Sequence, residues 1–291
     1  MKIAIIEQKD ITIKIENNSI KLPSQNLPLA LMDILILNHR TILSTNDILK
    51  LTKAKVSILI VSYNNSNLSI ISSANTKNAQ IKLAQYNAIE YNLEIAKYFI
   101  KSKIEHHNYQ LQINGISKDI KPILKEIDNV DSIDSILGIE GNFARYYFKE
   151  YFALIPKEWH KSKRSKNPPL DPLNALLSFW YSLIYNIITI RLISYGFEPS
   201  IGYLHKPFRG HNALSSDILE IFRASINHTV MSIFKSNKLE LDDFSHKGKG
   251  VYLTYKGRQK IWSEFISFVD IINPEIDKEI AKLRGVIDEK V

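Results

Sequence analysis

The chain has 291 residues, a formal charge of +8, 45% apolar and 23% charged residues, and no cysteine. That balance excludes a disordered chain and predicts a substantial buried core, while the missing thiols exclude disulfides, thiolate nucleophiles and thiolate zinc sites. Any metal is left to histidine and carboxylate, and the positive charge suits a polyanion without proving one, since many basic proteins bind no nucleic acid.

The opening MKIAIIEQKD lacks the basic region and apolar core of a secretory signal, so a cytoplasmic setting is expected. Ile11, Ile13 and Ile15 alternate with Thr12 and Lys14, the period of a half-buried strand. Leu31 to Asn38 and Val56 to Tyr63 read as further strands, and Thr45 to Leu51 as a short helix capped by Thr45 or Asn46. Residues 1–78 therefore predict a small β-rich domain. From Asn78 the period changes, and Leu83, Tyr86, Ile89, Leu93, Ala96 and Ile100 fall at steps of three and four, one face of a helix. Ser132 to Lys149, Pro172 to Tyr195, Ser215 to Phe234 and Gly257 to Ile272 predict more helices, so residues 79–291 form a larger all-α domain and the fold class is α+β. The uncharged run from Pro172 to Ile190 approaches membrane-spanning length, but it opens with proline and contains Asn174, Ser178, Ser182 and Asn186. It predicts a core helix, and no membrane partner is expected.

Three stretches carry candidate chemistry. In GIEGNFARYYF (138–148) Glu140 lies between two glycines at the head of an aromatic helix, where a backbone can come close; taken alone it also reads as a solvated first-turn glutamate. In PSIGYLHKPFRGHNALSSDILEIFRA (199–224) His205 falls in a loop, and Asp217 and Glu220 lie three apart on one helical face. Imidazole with carboxylate suits Mn²⁺ and tolerates Mg²⁺. The same residues also read as an ordinary hydrogen-bonded histidine and a solvated acidic face, and spacing does not choose which acid is the ligand. The third stretch, KSKRSKNPPLDPLNALLSFWYSLIYN (161–186), joins Lys161, Lys163, Arg164 and Lys166 to the uncharged helix, next to Trp159 and His160. That mixture suits phosphate contact with some stacking.

In order and spacing these stretches resemble the universal CRISPR adaptation integrase family, with NPPLDPLNALLSF the most specific string and GVYLTYKGRQKIWSEF (250–265) a weaker match. The resemblance implies an N-terminal β-sandwich for dimerisation and partner contacts, and a helical catalytic domain. It implies a homodimer assembled with a dimer of a small second adaptation protein, and joining of prespacer 3′-hydroxyls to CRISPR repeat ends by transesterification. Carried over residue by residue, the ligands of Mg²⁺ or Mn²⁺ are Glu140, His205 and Glu220, with Asp217 as a supporting acid. DNA phosphates fall to Arg145, Lys163, Arg164, Lys166, Arg209 and Arg223, with a further basic stretch at 244–263. Where many members carry arginine, this chain has His211, and Arg209 is the candidate replacement. The alternatives are a transposon-encoded relative, a standalone metal-dependent nuclease, and a non-enzymatic basic DNA-binding scaffold.

Overall fold

The computed structural model describes residues 2–23, 25–62, 68–73, 79–208 and 210–290. Tyr63 and Asn78, at the ends of two predicted segments, and Arg209 lie outside them. The chain divides into two units, Met1–Thr76 with Trp262–Glu275, and Lys77–Ile261 with Ile276–Val291.

The alternating isoleucines of the first unit build strands. In chain order come β1 (Ile3–Ile6), β2 (Thr12–Glu16), β3 (Ser19–Lys21), β4 (Asn26–Pro28), β5 (Ile34–Asn38), β6 (Ile42–Leu43), helix α1 (Thr45–Lys53), β7 (Ser57–Val61) and β8 (Leu68–Ile71). One sheet has the order β1-β5-β7-β8 and is parallel except for β8; the other has the order β4-β3-β2-β6, with β2–β6 its parallel pair. Ile13, Ile15 and Ile20 of one sheet and Ile6, Leu35, Leu37 and Ile58 of the other share a single buried cluster with Leu51 of α1. This is the sandwich-like N-terminal region expected. The α1 cap is one residue earlier than the sequence suggests. Ser44 Oγ accepts from Asp47 N–H at 3.0 Å, and the Asp47 carboxylate accepts from Ile15 N–H at 3.1 Å, tying helix to strand.

The second unit holds α2 (Ala79–Asn87), α3 (Asn92–Gln112), α4 (Lys121–Asn129), α5 (Ile133–Ala153), α6 (Pro172–Tyr195), α7 (Ala213–Lys235), the hairpin β9 (Phe244–Lys247) and β10 (Gly250–Leu253), and most of α8 (Tyr255–Lys290). The hairpin corrects the all-helical expectation, and it takes up part of the basic 244–263 stretch. There Lys260 donates to Glu240 and Asp243, and Arg258 is buried.

A second correction concerns the first predicted helical face. A 3₁₀ turn at Ala88–Tyr91 separates α2 from α3; Leu83, Tyr86 and Ile89 are exposed and Ile81, Gln85 and Ala88 are buried in their place, whereas Ala96 and Ile100 are buried as expected. The phase of one helix does not carry through a turn of different pitch.

The α6 helix is the core element. Asp171 caps it by accepting from Asn174 N–H at 2.8 Å, Pro172 opens it, and Gly196 ends it at φ 94°. It is long and apolar enough to cross a membrane, yet two thirds of its most apolar window, 67%, is buried inside the fold. The α7 helix packs against α3 and α6, and α3 packs against α5. That layering brings the candidate chemistry of three helices to one place.

Candidate functional site

Helix α7 presents its two acids inward. Asp217 is 0% and Glu220 4% exposed, so neither belongs to a solvated face. A buried carboxylate needs partners, and Asp217 finds them in the loop that carries His205. Its Oδ2 accepts from the backbone N–H groups of Tyr203 (2.6 Å) and Leu204 (3.1 Å), and its Oδ1 accepts from His205 N–H at 2.9 Å and meets His205 Nδ1 at 2.7 Å. Gly202 allows this approach, because a Cβ there would stand 2.7 Å from Asp217 Oδ2 and 2.8 Å from the Ala213 carbonyl carbon. Buried Gln85 holds the start of the loop, donating to the carbonyls of Glu198 and Ile201 at 2.9 Å each.

With Nδ1 engaged by Asp217, the His205 imidazole turns Nε2 towards Glu220 Oε1, 3.9 Å away. Glu140 comes from a further helix, α5. It sits inside α5 and not at its head, since the helix starts at Ile133 behind Ser132. Apart from their chain neighbours and the α5 backbone itself, nothing among the described residues lies within 4 Å of where a Cβ would stand at Gly138 or Gly141, so the surface beside Glu140 is open.

Between the acids lies a cation that sequence reasoning missed. Lys103 Nζ of α3 donates to Glu140 Oε1 at 2.5 Å and stands 2.6 Å from Glu220 Oε2, the latter outside hydrogen-bond alignment. Arg223 Nε is also 2.8 Å from Glu220 Oε2 without aligned donation, while its guanidinium lies 4.5 Å over the Tyr181 ring. Burial opposes the Glu220 charge, but Arg223 and Lys103 outweigh it and hold the carboxyl well below the usual range. Burial likewise opposes the Lys103 charge, and Glu220 and Glu140 outweigh it and raise the ammonium. Nothing in an amphipathic helix pattern marks such a lysine; its only signal is its place on the inner side of α3.

The basic residues divide. Arg145, Lys163 and Arg164 line a cleft of about 660 Å³ together with Gly141, Phe148 and Phe152, so the cleft starts beside Glu140. The NPPLDPLNALLSF string shapes its edge. Asn174 Nδ2 donates to the Lys163 carbonyl at 2.8 Å, and Asn174 Oδ1 accepts from Ser165 N–H at 3.1 Å and Arg164 Nη1 at 2.9 Å, pinning the basic loop to α6. Burial, with the charges of Arg223, Arg164 and Lys103 nearby, lowers the Lys166 ammonium. Arg223 is committed to Glu220. His211 offers no arginine-like contact. It stacks on exposed Phe208 with ring centroids 4.6 Å apart, its Nε2 lies 3.2 Å from Ser216 Oγ, and burial and His205 keep its pKa below the usual histidine value.

The side chains that meet here have the chemistry of hard-cation ligands: two carboxylates whose oxygens converge on one positive charge, a buried Glu220 Oε2 with no aligned donor, and an imidazole oriented through its far nitrogen by a buried acid. Among the described residues no group of three or more histidines and acids is drawn together closely enough to hold a metal ion, and the Lys103 ammonium lies between Glu140 and Glu220.

The family model for CRISPR associated protein Cas1 matches residues 2–267. The chain belongs to the Cas1 family. A CRISPR-associated endonuclease Cas1 of Thermodesulfovibrio yellowstonii is 29% identical over 291 residues, covering 92% of each chain. Among solved structures, a casposase bound to integration product shares the fold with TM-score 0.88 and 24% identity, over all of this chain and 92% of that one. A Cas6-RT-Cas1–Cas2 complex shares it with TM-score 0.82 and 20% identity over the whole chain, which spans 35% of that longer protein. Set beside Cas1 membership, buried Asp217 and Glu220 and the half-buried His205 between them fall within the matched span, as do Glu140 and Lys103.

Proposed function

We propose that this chain is the DNA endonuclease and integrase of CRISPR adaptation, and that Glu140, His205 and Glu220 hold its Mg²⁺ or Mn²⁺. The observation that carries the reading is the meeting of Glu140 and Glu220 on the Lys103 ammonium, with His205 Nε2 3.9 Å from Glu220 and Asp217 holding the histidine at 2.7 Å, in a member of the Cas1 family. Buried ion clusters seldom stabilise a fold more than apolar packing would, so a cluster of Lys103, Glu140, Glu220 and Arg223 is better explained by chemistry than by stability.

Held by Glu140, His205 and Glu220, such a cation would supply Lewis-acid stabilisation of charge on the scissile phosphate and on the attacking or leaving oxygen. The protein's share is positional. Asp217 holds the His205 ring so that Nε2 faces the site, and Glu140 borders the open surface left by Gly138 and Gly141, where a DNA backbone can approach closely. Arg145, Lys163 and Arg164 take phosphates along the cleft that begins at Gly141, with Phe148 in its wall as an apolar surface for a base, and Lys166 takes one outside that lining. Such contacts set register and read no sequence. A prespacer 3′-hydroxyl attacking a repeat phosphodiester gives joining by transesterification, and water in its place gives cleavage.

The homodimer, with the N-terminal β-rich unit supplying dimer and partner contacts, and its assembly with a small second adaptation protein in the cytoplasm complete the proposal; the Cas1–Cas2 relative of shared fold supports the partner. The likeness to a casposase favours one second reading, a transposon-encoded integrase with the same site. Cleavage of branched and single-stranded DNA with Mn²⁺, Mg²⁺ or EDTA tests the enzyme reading. Cleavage that needs the metal supports it, and none under any condition returns the chain to a scaffold.

A further inference from the structure

We propose that Lys103 is the built-in counter-cation of this site, competing with a divalent metal for the carboxylates of Glu140 and Glu220. The proposal rests on the reading that these two acids and His205 bind the metal. Lys103 sits in the middle of α3 with its side chain 14% exposed, and its ammonium lies 2.5 Å from Glu140 Oε1 and 2.6 Å from Glu220 Oε2. These are the oxygens a divalent ion needs. Lys103 and Arg223 match the charges of Glu140 and Glu220 one for one, and Lys166 and Arg164 add further positive charge nearby. A divalent ion added without displacing the ammonium would put two more positive charges into this largely buried cluster, where solvent screens poorly.

Two consequences follow with definite sign. Without the ammonium, the two carboxylates lose the one cation in contact with both of them, so the metal-free protein loses stability. The same loss removes the competitor, so metal binding tightens and stabilises the fold more. A lysine that organised the ligands for metal would have the opposite effect on affinity.

The test is calorimetric titration of the full chain with MnCl₂, comparing wild type, Lys103→Met and His205→Ala, with thermal unfolding in EDTA and in Mn²⁺. Lys103→Met is expected to bind Mn²⁺ at least about ten-fold more tightly than wild type, the equivalent of about 1.4 kcal/mol. It should also unfold at a lower temperature in EDTA and gain more from Mn²⁺. Lys103→Gln, which keeps a polar head without charge, serves if the methionine variant does not fold. In wild type itself, acylation of Lys103 by a small activated ester, read by mass spectrometry, should rise on adding Mn²⁺. Equal or weaker Mn²⁺ binding by the lysine variants, or unchanged acylation, overturns the proposal while wild type still binds Mn²⁺ and His205→Ala does not. Absence of binding by wild type, or equal binding by His205→Ala, overturns the metal reading and this proposal with it.

Discussion

Asp217 Oδ1 lies 2.7 Å from His205 Nδ1, and the same carboxylate accepts three consecutive backbone N–H groups from Tyr203, Leu204 and His205. One side chain thus folds the loop and orients the imidazole that loop carries. Its two duties separate by substitution. Asp217→Asn keeps an acceptor and the shape but weakens the hold on His205, and DNA joining and cleavage should fall by about 10- to 100-fold, the range for partners of metal-binding histidines. Asp217→Ala also strands the three N–H groups and should cost about 3 kcal/mol or more of stability. Thermal melting of both variants beside their cleavage rates checks the separation.

Glu140 and Glu220 should respond differently to truncation. Glu140 borders open space and pairs with Lys103, so Glu140→Ala should abolish turnover with helicity by circular dichroism unchanged. Glu220 is buried against both Lys103 and Arg223, and Glu220→Ala leaves two buried cations with less to offset them, at a cost of about 3–5 kcal/mol. Denaturant unfolding of the pair distinguishes them; equal stability loss contradicts this account of the ion cluster.

Acid should weaken the helical unit through His107. Burial first, and the Lys103 ammonium second, push this imidazole down to about 3. The unfolded chain takes up the proton near the ordinary value of about 6.5, so between these limits the unfolded state binds more protons and stability falls as pH falls. The slope from this group is at most about 1.4 kcal/mol per pH unit, lost below about 6.5 and exhausted near 3. Stability measured against pH for wild type and His107→Gln should show a shallower acid limb in the variant.

DNA binding should weaken steeply between about 50 and 200 mM salt, as expected for a protein neutralising several phosphates. Lys163→Ala, at the cleft rim, should weaken binding across all sequences alike and lower the salt slope by about one. A flat salt response contradicts the proposed phosphate track.

The sequence showed most where local signals agree with burial. Pro172 to Tyr195 is read with its bounds intact because Asp171, Pro172 and Gly196 mark both ends of an uncharged helix. It failed where a local signal was outvoted. The Asn273–Pro274 pair suggests a stop after Ile272, yet α8 runs to Lys290, with Ile276, Ile280, Leu283 and Ile287 buried at helical spacing beyond the proline. In the site, motif order drew attention to Glu140, His205, Asp217 and Glu220, but spacing left open which α7 acid is the ligand. The fold separates their duties, with Asp217 turned to the loop and Glu220 to Glu140 and the lysine. Lys103 was out of reach, because its neighbours come from helices 37 and 117 residues further along the chain.

The most direct measurement is a strand-transfer assay with Mn²⁺ or Mg²⁺, a labelled duplex bearing 3′-hydroxyl ends, a repeat-containing plasmid and the small second adaptation protein, run with wild type and His205→Ala. Joined product at the repeat ends from wild type, and none from a folded His205→Ala, is the predicted result. Equal joining by the two proteins, or no joining by wild type with either metal, contradicts the account.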